Sequence, residues 1–366
     1  MNNKSPLVKL IKTTLFSKEN PLLLECGKTF GPIDIAYETY GTLNETKSNT
    51  ILICHALSGD SHAASSYKNE PENIGWWDWL IGPNKAIDTN KYFVICSNVL
   101  GGCKGSTGPS SIDPDTNKPY GLNFPILTIG DMVKAQKEML NSLKIKNLKM
   151  VIGGSMGGMQ AMEWAIQHPE MVESCVPIAS THQLSPQAIA FDAVGRHAIL
   201  KDEENGLPIA RMIGHITYVS NDSMNKKFGR RLQKKDDYGY DFDTDFQIES
   251  YLKYQGDKFA NRFDAHTYLY ITKALSYFDL SKKHGSLSKA FESVRSKFLI
   301  IAIDSDWLYP SAQSKTIVKT LIKLNKEVTF CELNSKFGHD AFLLENQDLK
   351  DILSNYLEKS KKELTS

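Results

Sequence analysis

A serine acts as a nucleophile near neutral pH only when the backbone holds its hydroxyl open and a base lies close enough to take the proton. One stretch of this 366-residue chain suits the first condition: Lys149 to Trp164, which reads KMVIGGSMGGMQAMEW. The apolar run Met150, Val151, Ile152 breaks into Gly153-Gly154-Ser155-Met156-Gly157-Gly158 and then into helix-forming residues. That is the strand, turn and helix order of a G-x-S-x-G nucleophile elbow. The turn is sharp and crowded, so glycines two before and two after the serine are expected where a Cβ would clash. A glycine-rich packing turn and a phosphate cradle at a helix N-terminus are the bland alternatives. The chain has no GxxxxGK[ST] pattern and no lysine after these glycines, so the elbow is the preferred reading.

The serine needs a base, and the base needs an acid to orient it; on such an elbow the order along the chain is Ser, Asp or Glu, His. The apolar run Lys297 to Ile303 ends in Asp304-Ser305-Asp306, and the run Val328 to Leu333 is followed by Gly338-His339-Asp340. Of the nine histidines, His339 alone follows the last strand-like run; His55 and His62 precede the elbow. Asp304 and Asp306 both stand open as its acid, because counting strands does not separate residues two apart.

The elements that must position these groups are legible as periodicities. Thr50 to Cys54 and Tyr92 to Ser97 are uninterrupted apolar runs with β-branched members, as expected of strands buried on both faces. They deliver the loops His55 to Asp60 and the glycine-rich Asn98 to Pro109. Thr128 to Leu143 carries a helical apolar stripe, Ser174 to Ala179 reads as another strand, and Ser311 to Leu324 and Asn346 to Lys361 read as helices. Strands alternating with helices predict an α/β fold with a mostly parallel central sheet, helices on both faces, and functional groups at the carboxyl ends of the strands. Pro21 to Thr39 reads as an antiparallel hairpin at a sheet edge, turning at Gly27 to Gly31. Between 183 and 295 the pattern changes to helix-like pieces, an aromatic cluster (Tyr251, Tyr254, Phe259, Phe263, Tyr268, Tyr270) and a charged tract from Asn225 to Asp245 that reads as a solvated face. The segment 183–295 is therefore expected to be a helical lid inserted in a core domain made of 1–182 and 296–366, a division the chain length suits.

Lys plus Arg total 43 against 42 Asp plus Glu, a net charge of +1, so no global field attracts nucleic acid or an acidic membrane. The apolar runs are strand-sized and lysines interrupt the first twenty residues, which predicts neither a signal peptide nor a spanning helix, and a cytoplasmic protein. Six cysteines without a CxxC pair read as small buried thiols rather than disulfides or metal ligands, and neither a metal nor a bound cofactor is expected.

Five motifs occur in order: HALSGDSH at 55–62, NVLGGCKGSTGPSS at 98–111, GGSMGGMQAMEWA at 153–165, SDWLYP at 305–310 and GHDAFL at 338–343. Together they resemble the homoserine O-acetyltransferase family of the α/β-hydrolase superfamily over nearly the whole chain; the departures lie in the lysine-rich termini and the lid tract. The resemblance implies the α/β-hydrolase fold and acyl transfer from acetyl-CoA, as a co-substrate, to the side-chain hydroxyl of L-homoserine in methionine biosynthesis. It implies a ping-pong course through acyl-Ser155, with His339 as base, Asp306 as the acid of the SD-x-L-[FY]-P motif and Asp304 as a neighbour. It also implies an oxyanion hole from the backbone N–H groups of Leu57 and Met156, Arg211 on the substrate carboxylate, Asp340 on its ammonium, and a homodimer. Taken by itself, Arg211 reads as a surface ion-pair partner on the lid. Other readings keep the fold: a succinyl donor, a serine acceptor, a water-using esterase or thioesterase, or a receptor without catalysis. The intact Ser155, Asp306 and His339 set speaks against the receptor, and a cation paired with an anion, which suits a zwitterion, speaks against water as the acceptor.

Overall fold

The structure is a computed structural model that describes residues 7–68, 70–234 and 236–362. Residues 1–6 of the N-terminal stretch, Lys235 in the charged tract and the last four residues lie outside it. Its centre is an eight-stranded sheet: β1 (Ile11–Leu15), β2 (Ile33–Tyr40), β3 (Thr50–Cys54), β4 (Phe93–Ser97), β5 (Met150–Gly154), β6 (Ser174–Ile178), β7 (Lys297–Ile303) and β8 (Val328–Leu333), in the order β8-β7-β6-β5-β3-β4-β2-β1. Strands β4, β3, β5, β6, β7 and β8 run parallel, while β2 is antiparallel to both of its neighbours.

Every residue of β3, β5 and β6 is buried, because both faces of the sheet are covered. Alternate side chains go to opposite faces. Leu52, Cys54 and Val151 pack in one apolar cluster with α1 (Ile129–Ser142) and α2 (Met156–Gln167), whereas Ile51, Ile53, Met150 and Ile152 pack in the other with Leu349, Leu353 and Leu357 of the C-terminal helix Gln347–Lys362. Helix α1, which the apolar stripe predicts, begins at a capping box of Thr128 with Asp131.

The edge differs from expectation. Leu22–Leu23 pairs only with Thr29–Phe30 in a small separate hairpin, and β2, which the sequence placed in that hairpin, belongs to the main sheet with β1 as its antiparallel partner. Strand β1 escapes an apolar-run criterion because it is hydrated: four of its five residues are exposed or half-exposed and Lys12 pairs with Asp34 at 2.8 Å. The six cysteines are all free, but only Cys54, Cys96 and Cys175 are buried; Cys26 is exposed and Cys103 and Cys331 are half-buried, since they sit at loops and an edge strand. No described helix is long and apolar enough to cross a membrane.

Between β6 and β7 the chain leaves the sheet, and its described residues there form seven helices: α3 (Pro186–Lys201), α4 (Glu203–Tyr218), α5 (Asn221–Lys227), α6 (Gln247–Ala260), α7 (Ala265–Tyr277), α8 (Leu280–His284) and α9 (Leu287–Glu292). Helices α3 and α4 lie against each other, close enough that a Cβ on Gly195 would meet Ala210 at 3.1 Å, and α6 packs on α4, where a Cβ on Gly256 would stand 2.7 Å from the Pro208 carbonyl. At the end of the insertion α9 returns to the core, with Phe291 edge-on to Phe298 of β7 at 5.7 Å.

The chain runs from β3 outward to β4 and then returns to the other side of β3 with β5, so the order reverses between β3 and β5. Carboxyl ends that flank such a reversal leave a crevice. Here the two strands are in direct register, Gly153 opposite Cys54, and α2 starts hard against them. A Cβ on Gly157 would stand 2.0 Å from the Cys54 carbonyl oxygen. Gly157→Ala must therefore push α2 off β3. The expected cost is about 1–3 kcal/mol, as for overpacking elsewhere, read as a lower urea midpoint with an unchanged m-value. An alanine variant as stable as the parent would show that the approach is not tight.

Candidate active site

Ser155 occupies the turn between β5 and α2 with φ 56° and ψ −121°, a conformation that costs a non-glycine residue on the order of 1–3 kcal/mol. The turn is held from both sides: Ser155 N donates to the Ile178 carbonyl of β6 at 2.9 Å, and Ser180 Oγ donates to the Ser155 carbonyl at 2.9 Å. The hydroxyl is thereby left to face His339, whose Nε2 lies 2.8 Å from Ser155 Oγ. His339 Nδ1 lies 2.7 Å from Asp306 Oδ2. The other carboxylate oxygen of Asp306 accepts from the backbone N–H groups of Leu308 (3.0 Å) and Tyr309 (2.9 Å), which fixes the plane of the acid.

Asp304, open as an alternative on sequence grounds, does something else. Its carboxylate accepts from Ser335 N at 2.9 Å and ties the end of β7 to the loop after β8. The neighbouring Ser305 Oγ accepts from Gly338 N at 3.0 Å, one residue before the histidine.

Burial pulls the pKa of His339 down, but the charge and hydrogen bond of Asp306 and the charge of Asp340 outweigh it, and the net displacement is upward. A raised imidazole pKa means a stronger base toward the serine proton, and a site whose free base form fills only as the pH climbs past the ordinary imidazole range of about 6.5. Tyr309, Phe342 and Tyr218 surround the ring at 5.0, 5.8 and 5.9 Å.

Met156 is the first residue of α2, so its N–H has no carbonyl of its own helix to bind. Leu57 follows β3 across the reversal point, in a loop anchored by groups to which the sequence reading gave no role. His55 is fully buried and neutral, its pKa lowered by burial; its Nε2 accepts from Val99 N at 3.0 Å. Gln160 Nε2 donates to the His55 carbonyl at 3.1 Å, Gln136 Nε2 donates to Gln160 Oε1 at 2.8 Å, and Trp164 Nε1 donates to Gln136 Oε1 at 2.7 Å. The only sequence signal of this relay is two glutamines on apolar helix faces. His62, the second histidine of the HALSGDSH motif, lies elsewhere, with its Nδ1 2.9 Å from the fully buried Glu38 carboxylate.

The base is pinned from a distance. Trp77 Nε1 donates to the Phe342 carbonyl at 2.8 Å and Trp79 Nε1 to the Leu343 carbonyl at 3.2 Å, so two indoles hold the short 3-10 turn Gly338–Leu343 that carries His339.

Ser155 and His339 open into a pocket whose walls include Ser58, Asp192, Arg211, Tyr218, Tyr309 and Asp340. Arg211 of α4 lies over the rings of Phe259 (4.6 Å) and Tyr218 (5.6 Å), and its Nε donates to His215 Nε2 at 3.2 Å. Burial and the arginine charge pull His215 down to about 4, so it is a neutral acceptor. Among the described residues no carboxylate comes within ion-pair distance of Arg211, which makes it a pocket cation rather than the surface ion-pair partner its position suggests in isolation. Asp340 enters the same pocket from the turn after β8; burial raises its pKa and the charges of His339 and Arg211 work against that rise. Asp192 of α3, absent from the sequence reading, is a third ionisable wall residue, raised by burial to about 7 against the weaker pull of Arg196. No cluster of described His, Cys, Asp or Glu side chains could hold a metal ion.

A family model described as the alpha/beta hydrolase fold matches residues 49–346. Homoserine O-acetyltransferase of Methanococcus vannielii is 55% identical over 360 residues, spanning 95% of this chain and 73% of that protein. Among solved structures, homoserine O-acetyltransferase from Bacillus anthracis superposes with a TM-score of 0.90 at 31% identity, covering 96% of this chain and 98% of that one. Esterase E22 superposes about as well, with a TM-score of 0.89 at 31% identity over 96% of this chain and 100% of its own.

The two aspartates after β7 should separate sharply. Asp306→Asn removes the acceptor of the Nδ1 proton, and the wrong histidine tautomer then faces Ser155, which lowers turnover by about 10⁴-fold in comparable triads. Asp304→Asn should leave most of the turnover and weaken the fold instead. Initial rates with urea midpoints for both variants decide it, and the opposite ranking would remove Asp306 from the site.

Proposed function

The chain belongs to the homoserine O-acetyltransferase family of the α/β-hydrolase fold, and from that premise we propose a two-step transfer from acetyl-CoA to L-homoserine through acetyl-Ser155. In the first step His339 takes the Ser155 proton while Oγ attacks the thioester carbon. The backbone N–H groups of Leu57 and Met156 receive the oxyanion. Collapse expels CoA as the thiolate, and the imidazolium returns the proton to its sulfur. In the second step the side-chain hydroxyl of homoserine gives its proton to His339 and attacks the acetyl carbon; collapse breaks the bond to Ser155 Oγ, which takes the proton back from the imidazolium, and releases O-acetyl-L-homoserine, an intermediate of methionine biosynthesis.

The observation that carries this reading over plain hydrolysis is the pair of opposite charges beside the nucleophile. Water needs neither, and a serine hydrolase gains nothing from a stacked guanidinium without a carboxylate partner. An amino acid zwitterion uses both: Arg211 grips its carboxylate, where two parallel N–H···O bonds give direction as well as strength, and Asp340 faces its ammonium. The pairing also orients the acceptor so that its hydroxyl reaches His339 Nε2, and an acceptor already in place competes with water for the acetyl group. Esterase E22 has a similar fold, so the distinction rests on these side chains and not on the architecture.

Two further properties belong to the same proposal. The enzyme works in the cytoplasm, where its thiols stay reduced, and it works as a homodimer. Support for the dimer comes from Val194, Leu200, Ile209, Ile216 and Tyr254, which are apolar or aromatic yet exposed on the mutually packed helices α3, α4 and α6. Sedimentation of the whole chain at micromolar concentration should give twice the mass of one chain; a monomer under those conditions removes the dimer.

The two steps can be tested apart. Arg211→Ala should acetylate Ser155 from acetyl-CoA at nearly the parental rate in a single-turnover quench, because the first step does not use the guanidinium. Its use of homoserine should fall by about 1.5–3 kcal/mol, roughly ten- to a hundredfold in kcat/KM. A variant that acylates slowly yet transfers normally would move Arg211 to the CoA side. Absence of any acetyl adduct on Ser155 in the active parent would replace the covalent course with direct transfer.

A further inference from the structure

We propose that the cleft beside the catalytic pocket is the site of the donor's nucleotide end: Lys104 and Arg262 hold the phosphates of acetyl-CoA, while its uncharged pantetheine arm passes Ser58 and carries the thioester to Ser155. The proposal rests on the acetyl-transfer reading above.

Size imposes the division. The pocket that Ser155 and His339 open into holds about 70 Å³, room for a handful of water molecules at ~10–15 Å³ each. The body of a CoA molecule must therefore lie outside it. The adjoining cleft holds about 710 Å³, within the range of about 300–1,000 Å³ of small-molecule sites. Ala56, Ser58, Arg211 and Leu343 line both spaces, so the two meet there. Ser58 directly follows Leu57, whose amide is to receive the oxyanion. The cavities around Lys85 and around Lys149 share no wall residue with the catalytic pocket.

The charge of the cleft suits the ligand. CoA carries its negative charge on phosphates at one end and its thioester at the other. Arg262, just beyond α6, donates from Nη1 to the Ser58 carbonyl at 3.3 Å and lies 5.1 Å from the Phe259 ring, on which Arg211 also rests at 4.6 Å. Lys104 is the third cation of the wall. Among the described residues no carboxylate comes within ion-pair distance of Lys104 or Arg262. The wall has one acid, Asp60, whose Oδ1 accepts from His62 N at 2.9 Å, and His62 itself faces the buried Glu38. Three cations against one carboxylate leave a local positive field that the net charge of the chain does not reveal.

The placement also gives a task to the glycine-rich loop after β4, which the transfer chemistry does not use. The loop is tied to β2: Ala36 N donates to Ser106 Oγ at 2.9 Å, Asp34 N to Thr107 Oγ1 at 2.8 Å, and Thr107 N to the Asp34 carbonyl at 2.8 Å. Gly105, left-handed at φ 104°, closes against the strand, where a Cβ would stand 2.7 Å from Ala36 Cβ. Lys104 is thus presented to the cleft from a fixed turn. The rest of the wall includes the aromatic faces of Tyr67 and Trp76, with Leu10 and Ile74 left 41% and 60% exposed. A purine stacks on aromatic faces without base-specific hydrogen bonds.

The test compares acetyl-CoA with S-acetylpantetheine, which has the same arm and thioester and no phosphate, in homoserine-dependent thiol release. In the parent the acetyl-CoA to S-acetylpantetheine ratio of kcat/KM should be about a hundredfold above unity, and it should fall as potassium chloride rises from about 0.05 to about 0.3 M. In Lys104→Gln and in Arg262→Gln the ratio should fall about tenfold each. Taking the ratio cancels general damage to the catalytic pocket. A second measurement needs no variant. Desulfo-CoA should shield Lys104 of the parent from an amine-reactive label, read on its peptide by mass spectrometry, and S-methylpantetheine should not. A parental ratio near unity, an unchanged ratio in either variant, or labelling of Lys104 that desulfo-CoA does not reduce overturns this proposal alone, provided acetyl transfer to homoserine is intact. A parent that does not transfer acetyl to homoserine overturns the underlying reading and this one with it.

Discussion

The site depends on a close approach of backbone to backbone. The carbonyl oxygen of Cys54, at the end of β3, lies where a Cβ of Gly153 would come within 2.4 Å and a Cβ of Gly157 within 2.0 Å. Because neither residue has a Cβ, β5 and α2 can close on β3 at the point where the strand order reverses. The turn between them is then forced into the left-handed conformation at Ser155, a strain of on the order of 1–3 kcal/mol that only a well-anchored surround can maintain. The anchors are the hydrogen bonds to Ile178 and from Ser180 and the neighbouring sheet register. With the serine so fixed, α2 starts directly after it, and Leu57 of the loop after β3 lines the same pocket as Ser155.

Electrostatics around that turn are arranged by burial. Asp306 is almost completely enclosed, yet its carboxylate receives two backbone N–H groups and the histidine ring. His339 therefore has one nitrogen committed to an anion and the other free to accept. The carboxyls that line the pocket, Asp340 and Asp192, are both pushed up by burial.

What could be read without coordinates follows the same physics. Strands buried on both faces leave unbroken apolar runs, so β3, β5, β6 and β7 and the glycine-framed serine are visible in the chain itself. The order Ser155, acid, His339 is visible too, because each follows a strand end. Strand β1 was invisible, since an edge strand hydrated on one side shows lysine and threonine where a run would be expected. Choosing Asp306 over Asp304 from the residues themselves needs the direction of a side chain, which strand counting does not supply; the motif resemblance pointed to Asp306, and in the structure the two face different partners, His339 and Ser335 N. Asp192 and Gln160 were missed for a related reason: each is one polar residue on a helix whose periodicity reports only which face is apolar. The tryptophans at 77 and 79 carry no motif at all, and their use appears only once their indole N–H groups are seen to end on carbonyls far along the chain.

That last connection has a consequence for how the protein is made. Ser155 and His339 are separated by 184 residues, and the turn bearing His339 is docked through bonds from Trp77 and Trp79 that span 265 and 264 positions. During synthesis the elbow, its glycines and the tryptophan loop all leave the ribosome while the segment they await is still untranslated. A partly made chain can fold a strained serine, but without the imidazole that hydroxyl is an ordinary alcohol, inert toward thioesters. Reactivity therefore arrives late, with the final strand and turn, and a chain released early is chemically silent.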